Sequence, residues 1–189
     1  MEEDEDEEIL DLIRDAAARQ RPYAGFFQWP DRPVAELGIA QTFCEAAESE
    51  PGFPIHNLRS RPPGEDPPDC EGLDAKGRAI AIEVTELVDP SAIASVRRTG
   101  RNDFAAWDTQ KIRHQLDARL SAKDVKSLKG GPYHEYLILI HTDEPGLSPE
   151  QVSSALVGHS FPAMNHADRA YLLFSYDPRV SGYPYVRLL

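Results

Sequence analysis

Residues 69–87, DCEGLDAKGRAIAIEVTEL, constrain the fold of this chain more than any other stretch. Asp69 to Leu73 reads as a short strand, Asp74-Ala75-Lys76-Gly77 supplies turn residues, and Arg78 to Leu87 alternates well enough to be the antiparallel partner. Side chains alternate along an extended strand, so Ile80, Ile82 and Val84 share one face of this β-hairpin while Ala81, Glu83 and Thr85 share the other. A carboxylate in mid-strand is costly to desolvate unless something pairs with it, and Asp69 is placed to share the environment of Glu83. Two close carboxylates repel unless a cation or proton intervenes. A hard cation such as Mg2+ accepts one or two protein carboxylates and keeps waters that can meet phosphate oxygens, which makes Asp69 and Glu83 candidate metal ligands.

The rest of the chain builds an α/β domain around this hairpin. Glu7 to Gln20 has helical spacing, with Ile9, Leu12, Ile13 and Ala16 on one face. Residues 21–33, RPYAGFFQWPDRP, mix aromatics with prolines and read as an irregular linker lying in a surface groove, its aromatics serving packing rather than base stacking. A second helix is expected from Pro33 to about Ser49, with Leu37, Ala40, Gln41 and Cys44 near one face and Glu36 near its start. A strand at Phe53–Leu58 precedes the hairpin. A helix at Asp108–Lys129, the run YLILIHT at 136–142, a helix from Ser148-Pro149 to near Gly158, and strands at 170–176 and 183–189 follow it. Arg97, Arg98 and Arg101 fall in an expected loop of about 20 residues and are candidates for phosphate contact. The reading is residues 1–33 as an acidic N-terminal helix and linker, and 34–189 as one domain with a mixed central sheet flanked by helices.

Charge distribution matters more here than its sum. The formal net charge is −12, but residues 2–8 hold seven acids, and without them the balance is −5. Residues 97–129 carry nine Lys/Arg against four acids, so a basic middle lies behind an acidic tail and keeps a nucleic-acid partner in play. Two cysteines cannot frame a disulfide scaffold, and both are expected to be reduced and structural. No apolar run approaches a membrane span and the N-terminus is acidic where a secretory signal would be basic, so a cytoplasmic location is expected. None of the six histidines has ligand spacing; His141 reads as structural, and Gln110 and Lys111 as helix surface.

The segment PPD at 67–69, a short strand and turn, and IEVTEL at 82–87 resemble the core of the PD-(D/E)xK, or restriction-endonuclease-like, nucleases. The resemblance spans roughly Val34 to Ile140 and implies a restriction-endonuclease-like core. It further implies that Asp69 and Glu83, with the Val84 carbonyl, bind Mg2+ or Mn2+, that Glu36 supports a second metal or a water, and that an activated water attacks a DNA phosphodiester. The pattern breaks at Thr85, where the family has a lysine. In some branches that lysine comes from the following helix, and LSAKDVK (120–126) resembles their I-x-x-K-x-x-K pattern. Helical geometry agrees independently: at 100° per residue Lys123 lies about 20° from both Ile112 and Leu116, on the inward stripe, with Arg119 and Lys126 at its border as candidate substrate contacts.

The expected function is therefore a Mg2+- or Mn2+-dependent deoxyribonuclease with Asp69, Glu83, Thr85, Lys123 and Glu36 around its centre. A non-catalytic protein of the same fold, binding a protein partner or DNA, is the alternative motivated by net acidity and by Thr85; a homodimer or a protein partner is also an open expectation for either reading. An acidic inhibitor that mimics nucleic acid rests on the tail alone.

Overall fold

The computed structural model describes residues 23–25, 27, 29, 31–62, 64–100, 106–124 and 127–189. The helix expected at Glu7–Gln20, Arg101 and Lys126 lie outside these residues. In chain order the described elements are α1 (Arg32–Ala46), β1 (His56–Ser60), β2 (Cys70–Leu73), β3 (Ala79–Glu86), α2 (Pro90–Thr99), α3 (Thr109–Asp124), β4 (Glu135–Thr142), α4 (Pro149–Leu156), β5 (Arg169–Phe174) and β6 (Tyr185–Arg187). The six strands form one mixed sheet whose spatial order follows the sequence, with β3, β4 and β5 parallel and the outer pairs antiparallel. The expected α/β class with a helix-flanked mixed sheet is what the chain adopts.

Strand parity sorts the core into two layers. Ile80, Ile82 and Val84 meet Ile39, Ala40, Phe43 and Cys44 of α1 on one face. Ala81 lies on the other with Ile112, Leu116 and Leu120 of α3 and with Val152 and Ala155 of α4. β4 and β5 are sandwiched between both layers, which explains why YLILIHT reads as a continuous apolar run rather than an alternating one. In α1 the inward stripe is Ile39, Ala40, Phe43 and Cys44, while Gln41, expected on that face, is exposed. Cys44 and Cys70 are buried free thiols, and burial pushes each up to about 12.

Residues 90–99, expected as loop, form α2. The local signals are complete: the Asp89 carboxylate caps the Ser91 and Ala92 amides, Pro90 occupies the first turn, and Gly100 closes the helix in the left-handed region at φ 66°. Ala92 and Val96 are buried against Tyr23, Ala24 and Val88 with Ile93 packed beside them, a one-sided stripe at i, i+1 and i+4 of the kind that helical periodicity records. Arg97 and Arg98 thereby move from loop to an exposed last helical turn, where their charge suits the C-terminal end of the helix dipole.

Gly72 explains how β1 can cross so close to β2. A Cβ at this position would lie 2.6 Å from Ile55 Cγ2 and 3.1 Å from the His56 carbonyl oxygen. Gly72→Ala is expected to lower stability by about 1–3 kcal/mol, as over-packing of a closed contact does. Urea denaturation should record a lower midpoint at an unchanged slope; an unaltered midpoint would mean that β1 moves aside without cost.

Candidate active site

The antiparallel register of β2 and β3 pairs Cys70 with Ile82, so one step further Asp69 stands opposite Glu83, with both side chains on the α3 face. Glu83 is fully buried and Asp69 is 4% exposed. Asp69 Oδ2 accepts a hydrogen bond from the Val84 amide at 2.8 Å, which fixes the carboxylate at the end of β2. Its Oδ1 lies 3.6 Å from the Arg32 guanidinium, and Arg32 Nε donates to Glu36 Oε1 at 2.6 Å. Burial, then the neighbouring Glu83, raise the Asp69 carboxyl to about 6, against the opposing pull of the Val84 amide.

Lys123 reaches this pair from α3. Its Nζ lies 2.6 Å from Glu83 Oε1, with the lysine side chain 13% exposed. The inward placement read from helical spacing is thus realised, and the contact joins residues 40 positions apart. The last turn of α3 is held at two further points. The Tyr136 hydroxyl of β4 donates to the Lys123 carbonyl at 3.2 Å, and its own acidity is pushed down by burial and by the charges of Glu83 and Asp69. Asp124 accepts from the backbone amides of Asn165, His166 and Ala167, at 2.6–2.9 Å, and from Asn165 Nδ2 at 3.1 Å. Burial works to raise the Asp124 carboxyl, but these hydrogen bonds outweigh it and the net shift is downward.

A cleft of about 360 Å3 opens beside this cluster at the C-terminal ends of β3 and β4. Glu36, Val84, Thr85 and Lys123 line it, which brings four of the expected site residues to one surface beside Asp69 and Glu83. Arg119, one turn before Lys123, is half-buried and does not line the cleft; Arg97 and Arg98 stand exposed on α2, also outside its lining. Sequence reasoning did not single out Arg32 or Glu86, and it read His141 as structural and Trp29 as packing; all four line the cleft. Arg32 carried a legible signal in its i,i+4 spacing from Glu36. Lys111, read as helix surface, instead pairs with Asp89, donates to the Ala106 carbonyl at 3.0 Å and lies 4.5 Å over the Trp107 ring.

A further buried carboxylate, beyond the end of β4, gathers three stretches of chain. Glu144, 3% exposed, accepts from the Tyr23 hydroxyl at 2.6 Å, the Trp107 indole at 3.1 Å and the Asp89 amide at 2.5 Å. It ties the N-terminal segment, the start of α2 and the approach to α3 to the end of β4. Among the described residues no group of three or more His, Cys, Asp or Glu side chains is arranged to hold a metal ion, and no described helix is long and apolar enough to cross a membrane. Comparisons with family models, curated proteins and solved structures returned no match.

The raised Asp69 carboxyl gives stability a pH dependence of known sign. Near pH 3 the group is protonated in both folded and unfolded chains; as pH rises through about 6 the unfolded chain has already ionised freely, so Asp69 increasingly disfavours the folded state. Asp69→Asn, measured by urea denaturation with chelator present, should therefore match the wild type near pH 3 and exceed it by roughly 1–3 kcal/mol at pH 7.5. Equal stability of the two proteins at both pH values would remove the cost assigned to ionised Asp69, which comes first from burial and then from Glu83.

Proposed function

We propose that the chain is a divalent-metal-dependent nuclease with a restriction-endonuclease-like core that hydrolyses DNA phosphodiester bonds. The observation that carries this reading is the 2.6 Å contact between Lys123 and Glu83, because it brings a helix-borne ammonium to the strand glutamate where Thr85 supplies no charge. The order α1, β1, β2, β3, α3, β4 supports the same reading, as it follows the element order of that family's core, with α2 inserted between β3 and α3 as an additional helix.

The donor set suits a hard cation. Two carboxylates face one another across adjacent strands; burial first and the neighbouring charge second disfavour ionised Asp69, and added positive charge offsets both. Asp69 and Glu83, with the Val84 carbonyl, would hold Mg2+ or Mn2+, which when bound supplies Lewis-acid activation of a water. The chain's own groups do the rest. The Val84 amide fixes the Asp69 carboxylate, and Arg32 holds Glu36 at the cleft wall. Lys123 both neutralises Glu83 and lines the cleft, so its ammonium can turn to a non-bridging phosphate oxygen and offset charge that builds as the water oxygen bonds to phosphorus and the ester oxygen leaves with a proton.

A non-catalytic protein of the same fold is the competing reading, favoured by one observation: Lys123 and Arg32 already lie against Glu83 and Asp69, which closes the cluster as an ion-pair network. Incubation of the full chain with single-stranded and duplex DNA and Mg2+ or Mn2+ separates the two. Cleavage is expected, reduced by ~100-fold or more in Asp69→Ala, Glu83→Ala and Lys123→Ala, and unchanged in Lys76→Ala of the β2–β3 turn. Absence of cleavage with either metal, together with calorimetry showing no metal binding, would exclude the nuclease.

A further inference from the structure

Three aromatics of the N-terminal segment are described, and they divide sharply. Tyr23 is 1% exposed and bound to Glu144, and Phe27 packs edge-on against His141 with ring centroids 5.1 Å apart. The expectation of packing therefore fits both. Trp29 departs from it at 63% exposed, although the chain is anchored on either side of it, by buried Phe27 and by Asp31, whose carboxylate caps α1 at the Val34 amide. Isolated exposed aromatics need no explanation. This one lines the same cleft as Glu36 and Lys123, and Arg32, three residues on, lies beside it with a guanidinium directed toward Glu36 and Asp69. An exposed indole and a largely buried ammonium lining one cleft are the two kinds of group that hold a nucleotide, one by its base and one by its phosphate.

We propose that Trp29 forms a base-stacking subsite of the cleft, and that the substrate is single-stranded DNA. The inference rests on the nuclease reading of that cleft and adds the strand state. A paired, stacked base hides its face inside the duplex, so an indole can accept it only after unpairing; an unpaired base offers that face without cost. The cleft is also lined by Glu36 and Glu86 as well as by Arg32 and Lys123, so it lacks the continuous basic wall that would grip a duplex through its phosphates alone. Stacking supplies attraction that does not depend on that wall.

Intrinsic fluorescence tests this directly, because the second tryptophan, Trp107, is buried and bonded to Glu144 while Trp29 is exposed. The full chain is titrated with a short oligothymidylate and with a duplex of equal length, in Mg2+ and in the Glu83→Gln background; Trp29→Leu in the same background is compared with it by the anisotropy of the same oligonucleotides carrying a dye label, since it lacks the reporting indole. The single strand is expected to quench the emission and to bind at least ~10-fold more tightly than the duplex. Trp29→Leu should weaken single-strand binding by about 5- to 150-fold, the range that corresponds to stacking one base on an aromatic ring. Its circular dichroism should not change. Equal affinity of the Trp29→Leu protein for the single strand, or preference of the parent for duplex, would overturn the subsite. Cleavage assays of wild type and Trp29→Leu keep the two readings apart. Duplex cleavage indifferent to Trp29 leaves a nuclease without this subsite; quenching with no cleavage under either metal leaves the subsite in a binding protein.

Discussion

The contact between Lys123 and Glu83 is the constraint around which the candidate site is organised. A carboxylate with no exposed surface in the middle of a sheet needs a counter-charge, since leaving it alone would cost several kcal/mol. The sequence supplies that charge from α3, and the geometry then demands that α3 lie against the Ala81 and Glu83 face with its last turn at the end of the hairpin. Tyr136 and Asp124 meet that demand from two directions, one from β4 and one through the segment before β5. Packing of α3 and the chemistry of the hairpin are one problem with one solution.

Where the sequence was informative, it was so through periodicities that continue into tertiary structure. Strand parity assigned Ile80, Ile82 and Val84 to one layer and Glu83 to the other, and the 100° spacing of α3 put Lys123 beside Ile112 and Leu116; both follow from local geometry alone. The helix at 90–99 was missed although its Asp-Pro start, its Gly end and its stripe of Ala92, Ile93 and Val96 were present in plain sequence, because the polar run after Val96 weights the whole stretch toward a loop. Arg32 was partly legible, through its i,i+4 spacing from Glu36, but its approach to Asp69 was not. The place of Trp29 was not legible for a different reason: it depends on how the N-terminal segment lies against the sheet, which long-range contacts such as Tyr23 to Glu144, 121 residues apart, help to decide.

The contacts of Glu144 also account for how α2 and α3 are joined to the sheet. Glu144 accepts three hydrogen bonds from neutral donors belonging to three separate stretches of chain, and Asp89, whose amide is one of them, caps α2 and pairs with Lys111 of α3. The two carboxylates form a relay across the connection between β3 and β4. These buried acids differ in kind: Glu144 and Asp124 are satisfied by several donors and act as fasteners, whereas Asp69 has one amide hydrogen bond, a guanidinium at 3.6 Å and a nearby carboxylate, and carries the cost of its position.

Carrying the positive charge on a helix rather than on the strand has a consequence for assembly. A lysine two residues after Glu83 would arrive with the hairpin, so its charge would be present whenever β2 and β3 had paired. Lys123 arrives only when α3 has docked, and α3 is locked at its C-terminal end by amides from residues 165–167, beyond β4 and α4. A chain folded only through its hairpin would hold two opposed acids and no ammonium. The electrostatics of the centre are thus completed by some of the last-made parts of the polypeptide, and a nascent chain cannot present the finished site before most of the sheet exists.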